Sequence, residues 1–250
     1  MPPAVFISGA GRRIGAVLAR AFGEAGWHVV IHVGHSPDDA HVLADELPSA
    51  EVVRCDLLDG DAAVAMIDTL ADRLDDWRML INCAAVFRPD TADALDPAFF
   101  AEAVTVNAET PTRMAQAFFA TARARGGKRV VQFLDQKLLN PNPDFFSYTM
   151  AKHAFAATVR MLAMAQQNAE DRVYGLAPGA MLPSHDQRPE EHEASGRMNL
   201  LERLTDPREL AEAALWLARG WLASGETLFI DSGQHLLAQP RDVLYLARAH

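Results

Sequence analysis

Ala4-Val5-Phe6-Ile7-Ser8-Gly9-Ala10-Gly11-Arg12-Arg13-Ile14-Gly15 is the stretch that decides the fold. Its first four residues are an unbroken apolar run, the pattern of a strand buried on both faces. Ile14, Leu18 and Phe22 then recur at helical spacing, so a helix begins where the glycines end. Glycines in a strand-to-helix turn let the backbone approach a pyrophosphate, and the helix N-terminus attracts its charge. An ordinary turn of this kind also uses glycine. Its place between first strand and first helix favours dinucleotide binding, with Gly9, Arg12, Arg13, Ile14 and Gly15 at the cofactor.

Outward from this turn, apolar runs alternate with helical patterns. Val29-Val30-Ile31, Val52-Val53, Met79-Leu80-Ile81, Arg129-Val130-Val131-Gln132-Phe133, Val173-Tyr174-Gly175-Leu176 and Thr227-Leu228-Phe229-Ile230 read as further strands. The alternation predicts an α/β fold: one doubly wound parallel sheet, Rossmann-like, of about seven strands with helices on both faces. With 250 residues, half of them apolar, one domain over 1–250 is expected. Two polar, proline-bearing segments, 137–145 and 181–200, follow strands where ligands bind in such sheets. The second reads as a lid over a substrate.

The formal net charge of −10 argues against nucleic acid or an anionic membrane as the main partner. No run approaches the roughly 20 apolar residues of a membrane span, and the N-terminus lacks a signal-peptide pattern. Cys55 and Cys83 sit in strand-like surroundings and read as reduced thiols of a cytoplasmic protein.

Charge also bears on the cofactor. An NAD enzyme usually carries an acid about 20 residues past the glycine turn, accepting from the ribose 2′-hydroxyl. Here that place falls at Val33-Gly34-His35-Ser36, with no acid until Asp38. Arg12 and Arg13 lie inside the turn, where a guanidinium can pair with a 2′-phosphate or simply stay solvated. The missing acid favours NADPH, with His35 and Ser36 beside it. Cys55-Asp56-Leu57 ends the third strand; Asp56 either accepts from the adenine amino group or caps the next helix.

Tyr148 and Lys152 lie four apart in Tyr148-Thr149-Met150-Ala151-Lys152 and project from one helix face. A nearby ammonium is expected to make the phenol more acidic, able to pass a proton near neutral pH. Asp135 lies thirteen residues earlier, in a loop after a strand; Ser147 points to another face of the helix.

With these pieces in order, the chain resembles the short-chain dehydrogenase/reductase family over essentially its whole length. The matching elements are the glycine turn, Asp56, Asn82-Cys83-Ala84-Ala85, Asn107, Tyr148 with Lys152, and Pro178-Gly179. More narrowly it is similar to the pteridine reductase branch, which includes alternative dihydrofolate reductases. That likeness rests on Gly-x-Gly-Arg-Arg-Ile-Gly, Phe87 and Asp135 in place of the usual catalytic serine.

The resemblance implies that Asn82 and Ala84 line the adenosine side and that Asn107 holds a water relaying protons to Lys152. Lys152 would also bond the nicotinamide ribose, and Pro178-Gly179 would flank the carboxamide. Phe87 would stack on a flat pterin, although by itself it reads as a plain core aromatic. Arg13 would lie near both the phosphates and the substrate's polar edge. A homotetramer is implied as well, with the helix at 114–124 and the Tyr148 helix at a subunit interface. Departures are Cys83 after Asn82, Ala85 where a hydroxyl is common, and His35 where an arginine is common.

An ionised carboxylate cannot donate to a ketone oxygen and repels a developing alkoxide. A pterin offers N–H donors for it to hold and a C=N bond whose nitrogen must gain a proton. Asp135 therefore favours pterin or folate C=N reduction, with Asp135 and Tyr148 together holding the ring and delivering the proton while NADPH supplies hydride. The alternatives are a carbonyl reductase on the same fold and a non-catalytic NADPH-binding regulatory protein. His185, Glu190, Glu191, His192 and Glu193 lack the spacing of a zinc hydrolase and read as lid rather than metal site. Met161, Leu162 and Met164 read as core packing, and the tail 239–250 as a segment reaching a neighbouring subunit's site.

Overall fold

β-branched and aromatic runs bounded by glycine and polar turns give the strands, and apolar residues at a spacing of three to four give the helices that cover them. The computed structural model describes residues 2–35, 37–184 and 186–249. The strands are β1 (Ala4–Ile7), β2 (His28–Val33), β3 (Ala50–Arg54), β4 (Trp77–Asn82), β5 (Arg129–Phe133), β6 (Arg172–Pro178) and β7 (Thr227–Ile230). They form one parallel sheet in the order β3-β2-β1-β4-β5-β6-β7. The order reverses between β1 and β4, so a crevice opens at their carboxyl ends.

Helices α1 (Arg13–Glu24), α2 (Asp38–Glu46) and α3 (Gly60–Arg73) follow the first three strands. After β4 come α4 (Pro97–Val104), a π-helical turn (Thr105–Glu109) and α5 (Thr110–Thr121). The chain continues through α6 (Phe146–Ala165), α7 (Pro189–Gly196), α8 (Pro207–Leu217) and a terminal α9 (Val243–Arg248). Leu18 and Phe22 of α1, Leu43 of α2 and Leu210 of α8 pack on one face of the sheet with Val5, Ile31 and Tyr174. Ile67 of α3, Phe118 of α5 and Phe155 of α6 pack on the other with Phe6, Leu80 and Val130. The doubly wound α/β fold expected from the alternation is the one observed. No helix among the described residues is long and apolar enough to cross a membrane.

One packing expectation fails. Leu162 is buried, but Met161 and Met164 are 68 % and 77 % exposed on the outer face of α6. Apolar character at helical spacing marks a face, and here it marks one turned away from the sheet.

Gly15 shows how tightly the first turn is built. A Cβ there would lie 2.3 Å from the Gly9 carbonyl oxygen and 2.7 Å from Ala10 Cα, both immobile backbone. Gly15→Ala is therefore expected to lower folding stability by about 1–3 kcal/mol, the usual cost of overpacking. Denaturant unfolding measures it, and an unchanged midpoint would show that the turn can move aside.

Candidate active site

The glycine turn lies at the crevice between β1 and β4. Gly9 takes φ 66° and Arg13 φ 54°, both left-handed, which swings the chain tightly into α1. Ser8 Oγ accepts from the amides of Cys83 (2.9 Å) and Ala84 (3.0 Å), tying the turn to the end of β4. From β2, buried His32 accepts the Gly9 amide on Nδ1 (3.3 Å), so its Nε2 carries the proton and donates to the Cys55 carbonyl (3.0 Å). Burial holds the ring neutral by lowering its pKa to about 4. Neither Ser8 nor His32 stood out in the sequence, since their work is done across strands that only the sheet makes adjacent.

A cavity of about 810 Å³ runs from this turn to the loop after β5, at the upper end of ordinary ligand pockets. Gly9, Arg12, Arg13, Ile14 and Gly15 line one end. The first turn of α1 has no side-chain cap and no acidic residue, so its amides are left for an anion. This fits a dinucleotide's pyrophosphate. His35, Asp56 and Leu57 line the cavity beside β2 and β3, Ala84 lines it after β4, and Pro178 and Gly179 line it at the end of β6. Asp39, from the start of α2, lines this region too, a carboxylate that the sequence reading left aside. Ser36 lies outside the described residues.

One expected contact is corrected. Asn82 does not reach the cavity: its Nδ2 donates to the Pro111 carbonyl (2.9 Å) and Gln132 Oε1 (2.8 Å), beneath the site. Asn107, fully buried in the π-helical turn, spends its amide on the backbone of Val86, accepting from N (2.8 Å) and donating to O (2.9 Å). Its side chain thus holds the residue before Phe87. Asp56 is no helix cap; Asp59 caps α3 by accepting from Ala62, while Asp56 accepts from Leu58 within its own loop.

At the other end the Tyr148 hydroxyl donates to Asp135 Oδ2 at 2.8 Å, and Asp135 Oδ1 accepts from the Lys137 amide at 2.9 Å. Lys152 Nζ donates to the Phe133 carbonyl at 2.6 Å and lies 5.6 Å from the Tyr148 ring centroid. Burial lowers the Lys152 pKa to about 8, against the opposing pull of Asp135. Burial, then Asp135, raises the Tyr148 pKa well above that of a free tyrosine, and burial raises that of Asp135. The expectation that Lys152 makes the phenol more acidic is therefore corrected: desolvation and the adjacent carboxylate outweigh an ammonium committed to a carbonyl. Cys83 also lines the cavity; burial pushes its thiol up to about 12, leaving it neutral and inert. Ser147 faces away, its hydroxyl donating to Asp90 at 2.6 Å.

Phe87 is 41 % exposed and lines the cavity. It stacks on Phe145 at 4.1 Å and 13°, and meets Tyr148 edge-on at 4.8 Å. Phe145 holds φ 53° and ψ 50° just before α6, a left-handed conformation costing a phenylalanine on the order of 1–3 kcal/mol. The tail does not extend away towards a neighbour. Its α9 folds over the chain's own cavity, where Val243, Leu244 and Tyr245 form a wall. Arg248 bridges to Asp186 (3.0 Å) and Glu191 (3.4 Å) in the segment after β6, and His192 of α7 also lines the cavity. His185 lies outside the described residues.

The chain matches the family model described as enoyl-(acyl carrier protein) reductase over residues 9–235. It is 29% identical to the 7alpha-hydroxysteroid dehydrogenase of Escherichia coli K12, over 91% of this chain and 92% of that one. It is 26% identical to a putative ketoacyl reductase of the granaticin polyketide synthase of Streptomyces violaceoruber, over 94% and 97%. Among solved structures, the FolM alternative dihydrofolate reductase 1 of Brucella canis, complexed with NADP, superposes with a TM-score of 0.88 at 30% identity, covering 96% of each chain. The Brucella suis enzyme, also with NADP, gives 0.88 and 30% over 95% of this chain and 96% of that one. The likeness to the pteridine reductase branch read from Arg12, Arg13, Phe87 and Asp135 agrees with these two structures. A glycine turn on β1 and a Tyr148–Lys152 pair on α6, matched over nine-tenths of the length, place this chain in the short-chain dehydrogenase/reductase family of oxidoreductases.

Proposed function

We propose that the chain is an NADPH-dependent reductase of a pteridine C=N bond, taking a dihydropterin or dihydrofolate to its tetrahydro form. The observation that carries this reading is the Tyr148 hydroxyl donating to Asp135 at 2.8 Å, on the cavity wall that Phe87 shares. A carboxylate there accepts hydrogen bonds, and a pterin's N–H and amino groups are what it can hold.

The free amides opening α1 hold the pyrophosphate, Arg12, Arg13 and His35 the 2′-phosphate, Asp56, Leu57 and Ala84 the adenosine, and Pro178 and Gly179 the carboxamide. When bound, the reduced nicotinamide supplies the hydride. Phe87 offers its ring face to the substrate's ring and excludes water from it. Asp135 orients that ring, and Tyr148, kept as a neutral phenol, gives its proton to the reacting nitrogen. Lys152 steadies the charge that Tyr148 then carries, and Asn107 acts through Val86 by fixing where Phe87 stands.

A second reading, reduction of a carbonyl, draws on the names of the sequence relatives and on burial of Asp135. A protonated Asp135 could donate to a carbonyl oxygen where the family's usual serine does.

The two readings part on substrate and on pH. NADPH oxidation with dihydrobiopterin, dihydromonapterin, dihydrofolate and a ketone panel is expected to favour a dihydropterin; preference for a ketone would sink the pteridine reading. For a pterin, kcat/KM is expected to rise with pH as Asp135 ionises, above the usual carboxylate range, and to fall again near 8 as Lys152 loses its proton. For a carbonyl that needs protonated Asp135, the first limb reverses and the rate falls as that carboxyl ionises. Tyr148→Phe is expected to cut turnover by about 10²–10⁴-fold with NADPH binding unchanged; loss of both would make Tyr148 a structural residue. Asp135→Ser is expected to impair pterin reduction, and faster pterin turnover would contradict its role in orienting the ring.

A further inference from the structure

One buried ammonium that lines the cavity is paired away from Asp135. Lys137, two residues past Asp135, is 3 % exposed, and its ammonium lies 2.6 Å from Asp242 Oδ2. Lysine is rarely buried this far without a partner. Here the partner comes from the opposite end of the chain, from the residue that opens α9 and caps it by accepting from the Leu244 amide at 3.0 Å.

A second contact runs the other way. Asp144, in the same loop as Lys137, accepts from Arg241 Nε (2.7 Å) and from the Asp242 amide (2.8 Å). The Lys137 ammonium also donates to the Asp144 carbonyl (3.2 Å) and lies 4.9 Å from the Phe145 ring centroid. Loop and tail are thus joined by reciprocal pairs, each supplying a cation and a carboxylate.

These pairs lie beside Phe145, which with Arg13 is one of two left-handed non-glycine residues lining the cavity among the described residues. Left-handed phenylalanine persists only where its surroundings over-determine it. Phe145 is enclosed by Phe87 (4.1 Å), Leu244 and Tyr245 (6.0 Å), and two of those three come from the tail.

We propose that the Lys137–Asp242 ion pair is a latch that seats the C-terminal segment on Phe145 and so fixes the Phe87–Phe145 platform against which the substrate's ring lies. Lys137 and Asp242 are then positioning residues, and Tyr245 is part of the wall that they hold in place. The proposal rests on the placement of a flat substrate against Phe87 given above.

The test uses the full chain, with Asp242→Asn, Asp242→Glu and Tyr245→Ala. Hydrogen exchange of amides 241–249 is followed beside steady-state kinetics on whichever dihydropterin or ketone the parent turns over. Asp242→Asn is expected to speed tail exchange and raise substrate KM, each about tenfold, with kcat within about twofold and NADPH binding unchanged. Asp242→Glu is expected to recover both. Tyr245→Ala is expected to raise KM while tail exchange stays slow, which keeps the wall testable should Asp242→Asn fail to fold. Unchanged tail exchange in Asp242→Asn, loosening without a change in KM, an unchanged KM in Tyr245→Ala, or parallel loss of KM, kcat and NADPH binding would each overturn the latch. A parent inactive on every dihydropterin would instead remove the pteridine reading, while exchange and the ketone KM still decide the latch.

Discussion

The hydrogen bond from Tyr148 to Asp135 is the constraint to which the rest of the site is fitted. Its partners come from different elements, Asp135 from the loop leaving β5 and Tyr148 from the first turn of α6. A buried phenol or carboxylate left unpaired would lose its hydration without replacement, so both must arrive together. That requires α6 to start beside the carboxyl end of β5. The loop between them is held for this purpose: Asp90 accepts from the amide and hydroxyl of Ser147, and its carbonyl accepts from the Phe145 amide. An acidic side chain at a helix start also suits the helix dipole.

The burial that strengthens this bond makes its charges interdependent. Asp135 lies among two lysines: both oppose the rise in its pKa, and burial still prevails. Each lysine is anchored elsewhere, Lys152 on the Phe133 carbonyl and Lys137 on Asp242. Neither ammonium is therefore free to collapse onto Asp135 and close the place a substrate must enter. An Asp135–lysine ion pair would use up the acceptor that the proposed chemistry needs. Anchoring the cations on other partners keeps the carboxylate near positive charge but accessible.

The sequence shows the fold and the cofactor end more fully than the substrate end. The sheet was legible because each central strand is an unbroken apolar run, and the turn because Gly9 and Gly15 stand between a strand and a helix. Asp135, Tyr148 and Lys152 were legible because their spacing along one segment carries the geometry. Asn82 is misplaced because residue type does not say where an amide points, and here it points to the Pro111 carbonyl and to Gln132. His32, Ser8 and the Lys137–Asp242 pair were invisible for another reason: they join residues that only the folded chain brings together. Met161 and Met164 failed because periodicity finds a face without saying which way it turns.

These differences explain why overall identity is a poor guide to substrate. The glycine turn, the buried β1–β4 crevice and the Tyr148–Lys152 pair position a dinucleotide and a proton, which reductions of C=O and C=N share. Resemblance spread over the scaffold therefore carries over to relatives named for quite different substrates. The cavity wall away from the glycine turn is built from a handful of groups on three loops: Phe87 after β4, Asp135 to Phe145 after β5, and the tail around Tyr245. Of these, Asp135 changes the sign of the interaction, since an ionised carboxylate accepts where a serine would donate. A donor suits an oxygen gaining negative charge; an acceptor suits a ring rich in N–H groups. On the proposed reading, the charge state of one half-buried aspartate, set by desolvation against two lysines, separates the two chemistries on this scaffold.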